Sequence, residues 1–179
     1  MYPYNEIIDL YYPSGSRLRD IYLRHCRSVA DEAIAIARTK QLPIPEADIE
    51  AAAMLHDIGI FLCDAPDIEC HGDQPYIRHG ILGAQLLIRH GAPQFIADIA
   101  ERHTGAGLTP DDIISQKLPL EPRDYSPRTT LERLICYADK FYSKSGSTQR
   151  KPIEKVIRSM SHFSPDTLQR FLSMQREFS

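Results

Sequence analysis

The feature that most constrains the fold of this chain is a polar pair, His56-Asp57, inside an apolar run. The run reads Ala53-Met54-Leu55-His56-Asp57-Ile58-Gly59-Ile60-Phe61. A carboxylate buried among such residues is costly unless a cation or hydrogen-bond donors compensate its charge. On a helix, neighbouring side chains point about 100° apart, so both side chains can approach one ion. The fold must therefore bring positive partners to this point.

Four further residues can supply such a cluster. His25, His79, His103 and Asp139 each lie in a stretch whose apolar residues recur at helical spacing. Side chains from several helices can converge in the core of a helical bundle and hold metal ions there. With His56 and Asp57 they make six nitrogen and oxygen ligands, which is enough for two ions.

The apolar periodicity predicts an all-α bundle with its metal site in the core. We expect helices near residues 7–12, 17–40, 46–62, 77–89, 93–103, 129–142, 152–160 and 164–176, with no strand. The segments 63–76 and 105–128 are rich in Pro, Gly and Asp and are predicted as loops, the second with one helical turn after Thr109. The length of 179 residues indicates one domain, 1–179, in which the C-terminal helices of 145–179 complete the bundle.

Composition indicates the cellular location of the protein and its general binding partners. No run approaches the roughly 18 apolar residues of a membrane span, and the first residues lack the order of a signal peptide. We therefore expect a cytoplasmic protein with four free cysteines. A net charge of −3 gives no case for general binding to nucleic acid or to membranes. A homodimer built on the C-terminal helices is left open.

The order His, His-Asp, His, His, Asp resembles the HD-domain superfamily of metal-dependent phosphohydrolases, in the subgroup with the His-Asp-Ile-Gly motif. The resemblance covers residues 18–144 and rests on Arg24 to Ala30, Leu55 to Gly59 and Leu134 to Lys140. The stretches Arg78 to Ala84 and Arg102 to Gly107 resemble a narrower group of small, stand-alone, largely uncharacterised HD proteins.

This resemblance implies two divalent transition metal ions. His25, His56, Asp57 and Asp139 would hold the first ion, and Asp57, His79 and His103 the second. Mixed imidazole and carboxylate ligands suit Fe, Mn, Co, Ni or Zn. His56 and Asp57 would then be catalytic, because the metals they hold generate a metal-bound hydroxide that attacks phosphorus.

An anionic substrate requires further positive partners. Basic residues lie within a few positions of the ligands and are the substrate-binding candidates: Arg24, Arg78, Arg102, Lys140 and Lys144. His71, in the first loop, is a further candidate against the alternative of a solvated loop histidine. Many relatives carry Lys or Arg after the motif glycine, whereas this chain has Ile60. His90 is interpreted as a helix cap.

The sequence thus predicts a phosphohydrolase, either a phosphomonoesterase or a phosphodiesterase or pyrophosphohydrolase. The expected substrate is small and phosphorylated, with nucleotides and dinucleoside polyphosphates favoured by analogy. Two alternatives keep the ligands but change the function: a di-iron oxygenase of the HD type, and a non-catalytic module that binds metal or nucleotide.

Overall fold

A computed structural model describes residues 2–179, and the prediction of an all-α protein is confirmed. Within these residues the α-helices are α1 (Tyr4–Tyr11), α2 (Arg17–Thr39), α3 (Glu46–Leu55), α4 (His79–Arg89), α5 (Gln94–Arg102), α6 (Pro110–Ser115), α7 (Thr130–Asp139), α8 (Ile153–Ser161) and α9 (Pro165–Phe178). No helix in this part of the chain is both long and apolar enough to cross a membrane.

Helix α2 is the central element. It begins where the Ser16 hydroxyl accepts a hydrogen bond from the Arg19 amide, which satisfies one of the free amides of the first turn. Its 23 residues bury one face against α3 and α7. Because this helix is so long, its two halves belong to different parts of the core.

The core consists of two hydrophobic clusters. The first joins α1, the beginning of α2, the end of α3, α4 and α5, and includes Tyr12, Tyr22, Leu55 and Leu87. The second joins the end of α2 with α7, α8 and α9, and includes the buried residues Val29, Phe141, Phe171, Met174 and Phe178. The C-terminal helices therefore contribute apolar side chains to the core. All four cysteines are buried and free, as expected.

Two local predictions were wrong. Helix α3 ends at Leu55, not near residue 62, so His56 and Asp57 lie in the turn that follows it. The segment 63–76, predicted as loop, contains a small antiparallel hairpin of β1 (Asp64–Ala65) and β2 (Cys70–His71). Two-residue strands are too short to give a periodic signal, which is why the sequence did not indicate them.

Two glycines allow backbones to touch beside this turn. A Cβ on Gly59 would lie 2.3 Å from the carbonyl oxygen of His79, and a Cβ on Gly80 would lie 2.5 Å from that of Ala100. Both distances are far shorter than a carbon and an oxygen tolerate. The missing side chains thus let the turn after α3, helix α4 and helix α5 pack at backbone contact.

The long segment between α5 and α7 is fastened through Asp112 of α6. Thr109 and Asp112 form a reciprocal capping box at the start of α6. The Asp112 carboxylate also pairs with the Arg170 guanidinium of α9. Although burial raises it, the hydrogen bonds from Thr109 and the charge of Arg170 hold the pKa of Asp112 below its ordinary value.

We expect Asp112→Ala to lower the free energy of unfolding at pH 7 by about 2–3 kcal/mol, because Arg170 and the amide and hydroxyl of Thr109 lose a buried partner. Because the folded-state pKa of Asp112 is depressed, its carboxylate stabilises the fold at pH values above the unfolded-state pKa, which is near 3.9. That contribution disappears as pH falls through the folded-state value. Urea unfolding at pH 7 and at pH 3 measures both effects.

Asp111→Ala is the matched control, because Asp111 is an exposed neighbour on the same helix. Its substitution should cost less than about 1 kcal/mol. The free energies of unfolding of wild type and Asp112→Ala should differ less at pH 3 than at pH 7. An equally large difference at pH 3 would contradict the assigned role of the ionised carboxylate.

Candidate metal centre

The six residues predicted as ligands come together in one buried cluster. His25 projects from the middle of α2, and His56 and Asp57 from the turn after α3. His79 is the first residue of α4, His103 directly follows α5, and Asp139 is the last residue of α7. None of the six is more than 8% exposed. Side chains up to 114 positions apart in the sequence thus meet in the interior.

The cluster divides into two groups. In the first, His25 Nε2 lies 3.1 Å from Asp57 Oδ2 and 3.0 Å from Asp139 Oδ1. His56 Nε2 lies 3.2 Å from the same Asp57 oxygen. These four side chains offer their ligand atoms within 4.8 Å of one another.

The second group uses the other oxygen of Asp57. His79 Nε2 and His103 Nε2 each lie 3.4 Å from Asp57 Oδ1. Asp57 therefore faces one group with each carboxylate oxygen. A carboxylate can bridge two cations in this way.

The backbone orients three of the imidazoles. His56 Nδ1 lies 2.6 Å from the carbonyl oxygen of Ala53, and His103 Nδ1 lies 2.8 Å from that of Ala100. His79 Nδ1 lies 2.6 Å from the Tyr76 carbonyl oxygen. A carbonyl only accepts hydrogen bonds, so in each ring Nδ1 donates and the Nε2 of the neutral ring presents a lone pair to the cluster. Histidine ligands of metals are commonly oriented by such bonds.

The Nε2 atoms that face the cluster lack suitable hydrogen-bond partners in the described residues. His79 Nε2 and His103 Nε2 lie 3.0 Å apart although neither has a proton to donate while the ring is neutral. His25 Nε2, His56 Nε2 and both Asp57 oxygens have no well-aligned hydrogen-bond partner. Buried polar groups without partners are rare and costly. A cation between them removes the cost, so the donor set fits divalent metal ions.

The ionisation of these groups agrees with that fit. Burial lowers the pKa of His79 to about 3, and its neighbour His103 adds to the effect. Burial also lowers the pKa of His103. Although burial opposes it, the charges of Lys144 and His56 hold the pKa of Asp57 well below its ordinary value. At neutral pH the second group therefore presents neutral imidazoles and a carboxylate, the forms that bind metals.

His56 differs from the other two. Burial lowers its pKa, but the nearby carboxylates, Asp57 first, more than offset this and raise its pKa well above the ordinary value. Without a metal ion, a proton compensates the carboxylates of the first group. Metal binding at His56 would release this proton.

Two of the predicted substrate-binding lysines lie at the cluster. Lys140 Nζ is 2.7 Å from Asp139 Oδ2, and Lys144 Nζ is 2.6 Å from Asp57 Oδ2. Lys144 also lies 5.9 Å from the centre of the Tyr76 ring. Both ammonium groups are close to the ligand carboxylates.

A cavity of about 600 Å³ opens beside these lysines. Asp139 lies in its wall, so the cavity reaches the buried cluster of ligand residues. The hairpin region supplies one side with Ile68 and Tyr76, and the start of α8 supplies another with Lys151 and Lys155. Sequence reasoning missed these two lysines, because they lie 12 and 16 positions beyond Asp139, the last ligand. Basic residues at the start of a helix carry no signal that they face a cavity.

The other predicted substrate contacts are absent from the cavity lining. Arg102 donates to Glu132 at 3.0 Å and also pairs with Asp98, so it serves the packing of α5 against α7. Arg78 donates to Gln74. Arg24 is exposed on α2, and His71 is exposed beside Glu69. Substrate contacts of Arg24, Arg78, Arg102 and His71 therefore stay predictions, and they would lie outside this cavity lining.

The prediction that His90 caps α4 is confirmed, because His90 is its C-cap residue, but the imidazole itself contacts another helix. Its Nε2 lies 2.6 Å from the Tyr11 hydroxyl of α1, whereas the backbone amide of His90 makes the cap bonds. His90 thus links α1 to α4, and it is not part of the buried cluster.

Comparison with known families agrees with this geometry. The model of the HD domain family matches residues 22–143. The chain belongs to the HD domain family. The matched segment contains all six residues of the buried cluster.

Relatives of this HD domain occur alone and within longer proteins. An uncharacterised protein of Methanocaldococcus jannaschii is 34% identical over 139 residues, which cover 76% of this chain and 73% of that protein. A protein of Thermoplasma volcanium named tRNA (cytidine(56)-2'-O)-methyltransferase is 32% identical over 84% of this chain. A protein of the same name from Picrophilus torridus is 34% identical over 69% of this chain.

The match covers 38% of the Thermoplasma protein and 32% of the Picrophilus protein. This HD domain thus corresponds to about a third of their length. The search of solved structures gave no significant match.

We expect a divalent transition metal to raise the melting temperature of the metal-free wild type. A ligand at 100 times its Kd adds about 2.7 kcal/mol of stability, which corresponds to about 5–10 °C for a chain of this size. Asp57→Asn should lose this increase, because Asp57 faces both groups. Thermal unfolding with and without Mn²⁺ or Zn²⁺ measures the change.

Asp31→Asn provides the control, because Asp31 is exposed on α2. Its metal-dependent increase should equal that of the wild type. An unchanged increase in Asp57→Asn would show that the metal binds elsewhere.

Proposed function

We propose that this HD domain is a metal-dependent phosphohydrolase for a small phosphorylated substrate, with nucleotides and dinucleoside polyphosphates as the favoured class. His25, His56, Asp57 and Asp139 would hold one divalent ion, and Asp57, His79 and His103 a second. The ions would be Fe, Mn, Co, Ni or Zn, which accept this donor set. Bound ions of this kind acidify water and neutralise phosphoryl oxygens.

The observation that carries this proposal is the position of Asp57 between two groups of histidines. Each of its oxygens faces a different group, at distances of 3.1 to 3.4 Å from the histidine nitrogens. Paired metal sites of this kind are typical of phosphate-ester hydrolysis. A closed structural site would not be expected to border an open cavity.

Charge favours an anionic substrate. The two ligand carboxylates, Asp57 and Asp139, are each paired with one lysine, Lys144 and Lys140. These four charges cancel when the histidines are neutral, so each divalent ion adds two uncompensated positive charges. A phosphate group is the natural partner for this excess. The ammonium groups of Lys140 and Lys144 would hold and orient it.

The cavity has suitable dimensions and chemistry for a nucleotide. Its volume of about 600 Å³ lies within the range of small-molecule sites. Ile68, Tyr76 and Met160 give it an apolar side, while lysines give it a cationic one. A base or sugar would contact the first side and the phosphates the second.

The relatives add weak support for this class. The names of the Thermoplasma and Picrophilus proteins describe an activity on a nucleic acid. Nucleotide derivatives therefore deserve a place in a substrate panel beside simple phosphate esters. With a net charge of −3 this chain itself is not proposed to bind nucleic acid generally.

We expect the metal-loaded protein to release phosphate or a nucleotide from one class in a panel of mononucleotides, dinucleoside polyphosphates and cyclic nucleotides. Asp57→Asn should lower kcat/KM at least about 100-fold, because neither ion would be held correctly. The control His162→Gln should retain the wild-type rate, because His162 is exposed and belongs to neither group of ligand residues.

The same assay separates the alternatives. Turnover under argon supports hydrolysis, whereas oxygen consumption coupled to substrate loss would identify an oxygenase. Tight binding of a panel member without turnover, after reloading with Mn²⁺ or Fe²⁺, would identify a binding module instead.

A further inference from the structure

Two lysines that line the cavity are not paired with the carboxylates of the buried cluster. In contrast to Lys140 and Lys144, Lys151 and Lys155 have no carboxylate within 4 Å in the described chain. They stand together at the start of α8 and line the same cavity. Cations that share a cavity without counterions repel one another and favour an anionic ligand.

Lys151 is held in place by the backbone. Its amide donates to the Phe141 carbonyl at 2.8 Å, and its Nζ donates to the carbonyls of Lys140 and Tyr142 at 3.3 and 3.4 Å. A lysine ammonium has three donors, so one remains for a ligand. Lys151 is thus a positioned cation whose third donor is free for an anion.

Lys155 lies four residues further along the chain. Its ammonium group repels that of Lys151, which precedes α8. Burial lowers the pKa of Lys151. The charge of Asp139 opposes this effect, and the ammonium groups of Lys140, Lys155 and Lys144 add to it. A bound anion would relieve this repulsion.

The surroundings suit a phosphate. Ser143, Ser145 and Ser159 bring hydroxyl groups to the same lining. Asp67, on the hairpin side, is the carboxylate of the lining besides Asp139. Lysines and hydroxyls are common donors to phosphate oxygens, whereas a purely apolar group would leave both ammonium groups without a counterion.

We propose that Lys151 and Lys155 form a second anion subsite, which binds a phosphate group that does not react. The substrate class is then compounds with at least two phosphate groups, one at the metal centre and one at the start of α8. This inference rests on the proposed phosphohydrolase function. It favours bisphosphates and polyphosphates over simple monophosphate esters.

The kinetic test compares adenosine 5'-monophosphate with adenosine 3',5'-bisphosphate and adenosine 5'-triphosphate, in wild type and Lys155→Gln. Lys155 is exposed, so its substitution spares the fold. We expect a KM increase of about 5- to 20-fold for the two compounds with several phosphates, with kcat unchanged. The KM for the monophosphate should stay within twofold. Equal effects on all three compounds, or no effect, would overturn the proposal.

A binding test does not depend on turnover. Inorganic pyrophosphate is titrated by calorimetry into EDTA-treated protein, as wild type, Lys155→Gln and the control Lys117→Gln. Lys117 is exposed and does not line the cavity. The expected result is a Kd about 5- to 20-fold weaker in Lys155→Gln alone. Identical affinities in the three proteins would overturn the subsite.

The two tests also separate the two proposals. Weaker pyrophosphate binding by Lys155→Gln, in a protein that hydrolyses nothing, would retain the subsite and reject the hydrolase. Hydrolysis that is insensitive to Lys155→Gln, with unchanged pyrophosphate binding, would retain the hydrolase and reject the subsite.

Discussion

Asp57 is a fully buried carboxylate on which the rest of the structure converges. An isolated charge at this depth would be unstable, so neighbouring elements surround it with imidazoles that could share a metal ion with it and with one ammonium group. Helix α2 brings His25, the start of α4 brings His79, the residue after α5 is His103, and the segment after α7 brings the ammonium of Lys144. The bundle can be understood as a set of helices arranged around one anionic side chain.

Helix termini are what make this arrangement precise. His56 and His103 directly follow α3 and α5, and His79 opens α4. At the end of a helix the last carbonyls lack amide partners. The carbonyls of Ala53 and Ala100 accept the Nδ1 protons of His56 and His103, so the unsatisfied ends orient the rings. The same residue thus completes a helix and aims a ligand atom.

Much of this was accessible from the sequence, because the ligand residues are polar types within apolar helical patterns. The predicted starts of two helices, at residues 17 and 129, lie at or beside the caps Ser16 and Thr129 that the structure shows. The end of α3 could not be predicted, since residues 56–62 continue its apolar character after the backbone has left the helix. The basic residues were harder still. Arg102 and Lys140 are both adjacent to ligands, yet one meets Glu132 and the other the cavity, and only tertiary packing decides between them.

The metal-ligand candidates and most of the cavity lysines come from different stretches of the chain. All six cluster residues precede residue 140, whereas the cavity lysines are Lys140, Lys144, Lys151 and Lys155. The last three lie beyond residue 143, where the match to the HD family ends. Changes in this C-terminal stretch can alter the cavity while the buried centre keeps its ligands. Such a division would allow members of one family to diverge in selectivity while sharing an inherited reaction centre.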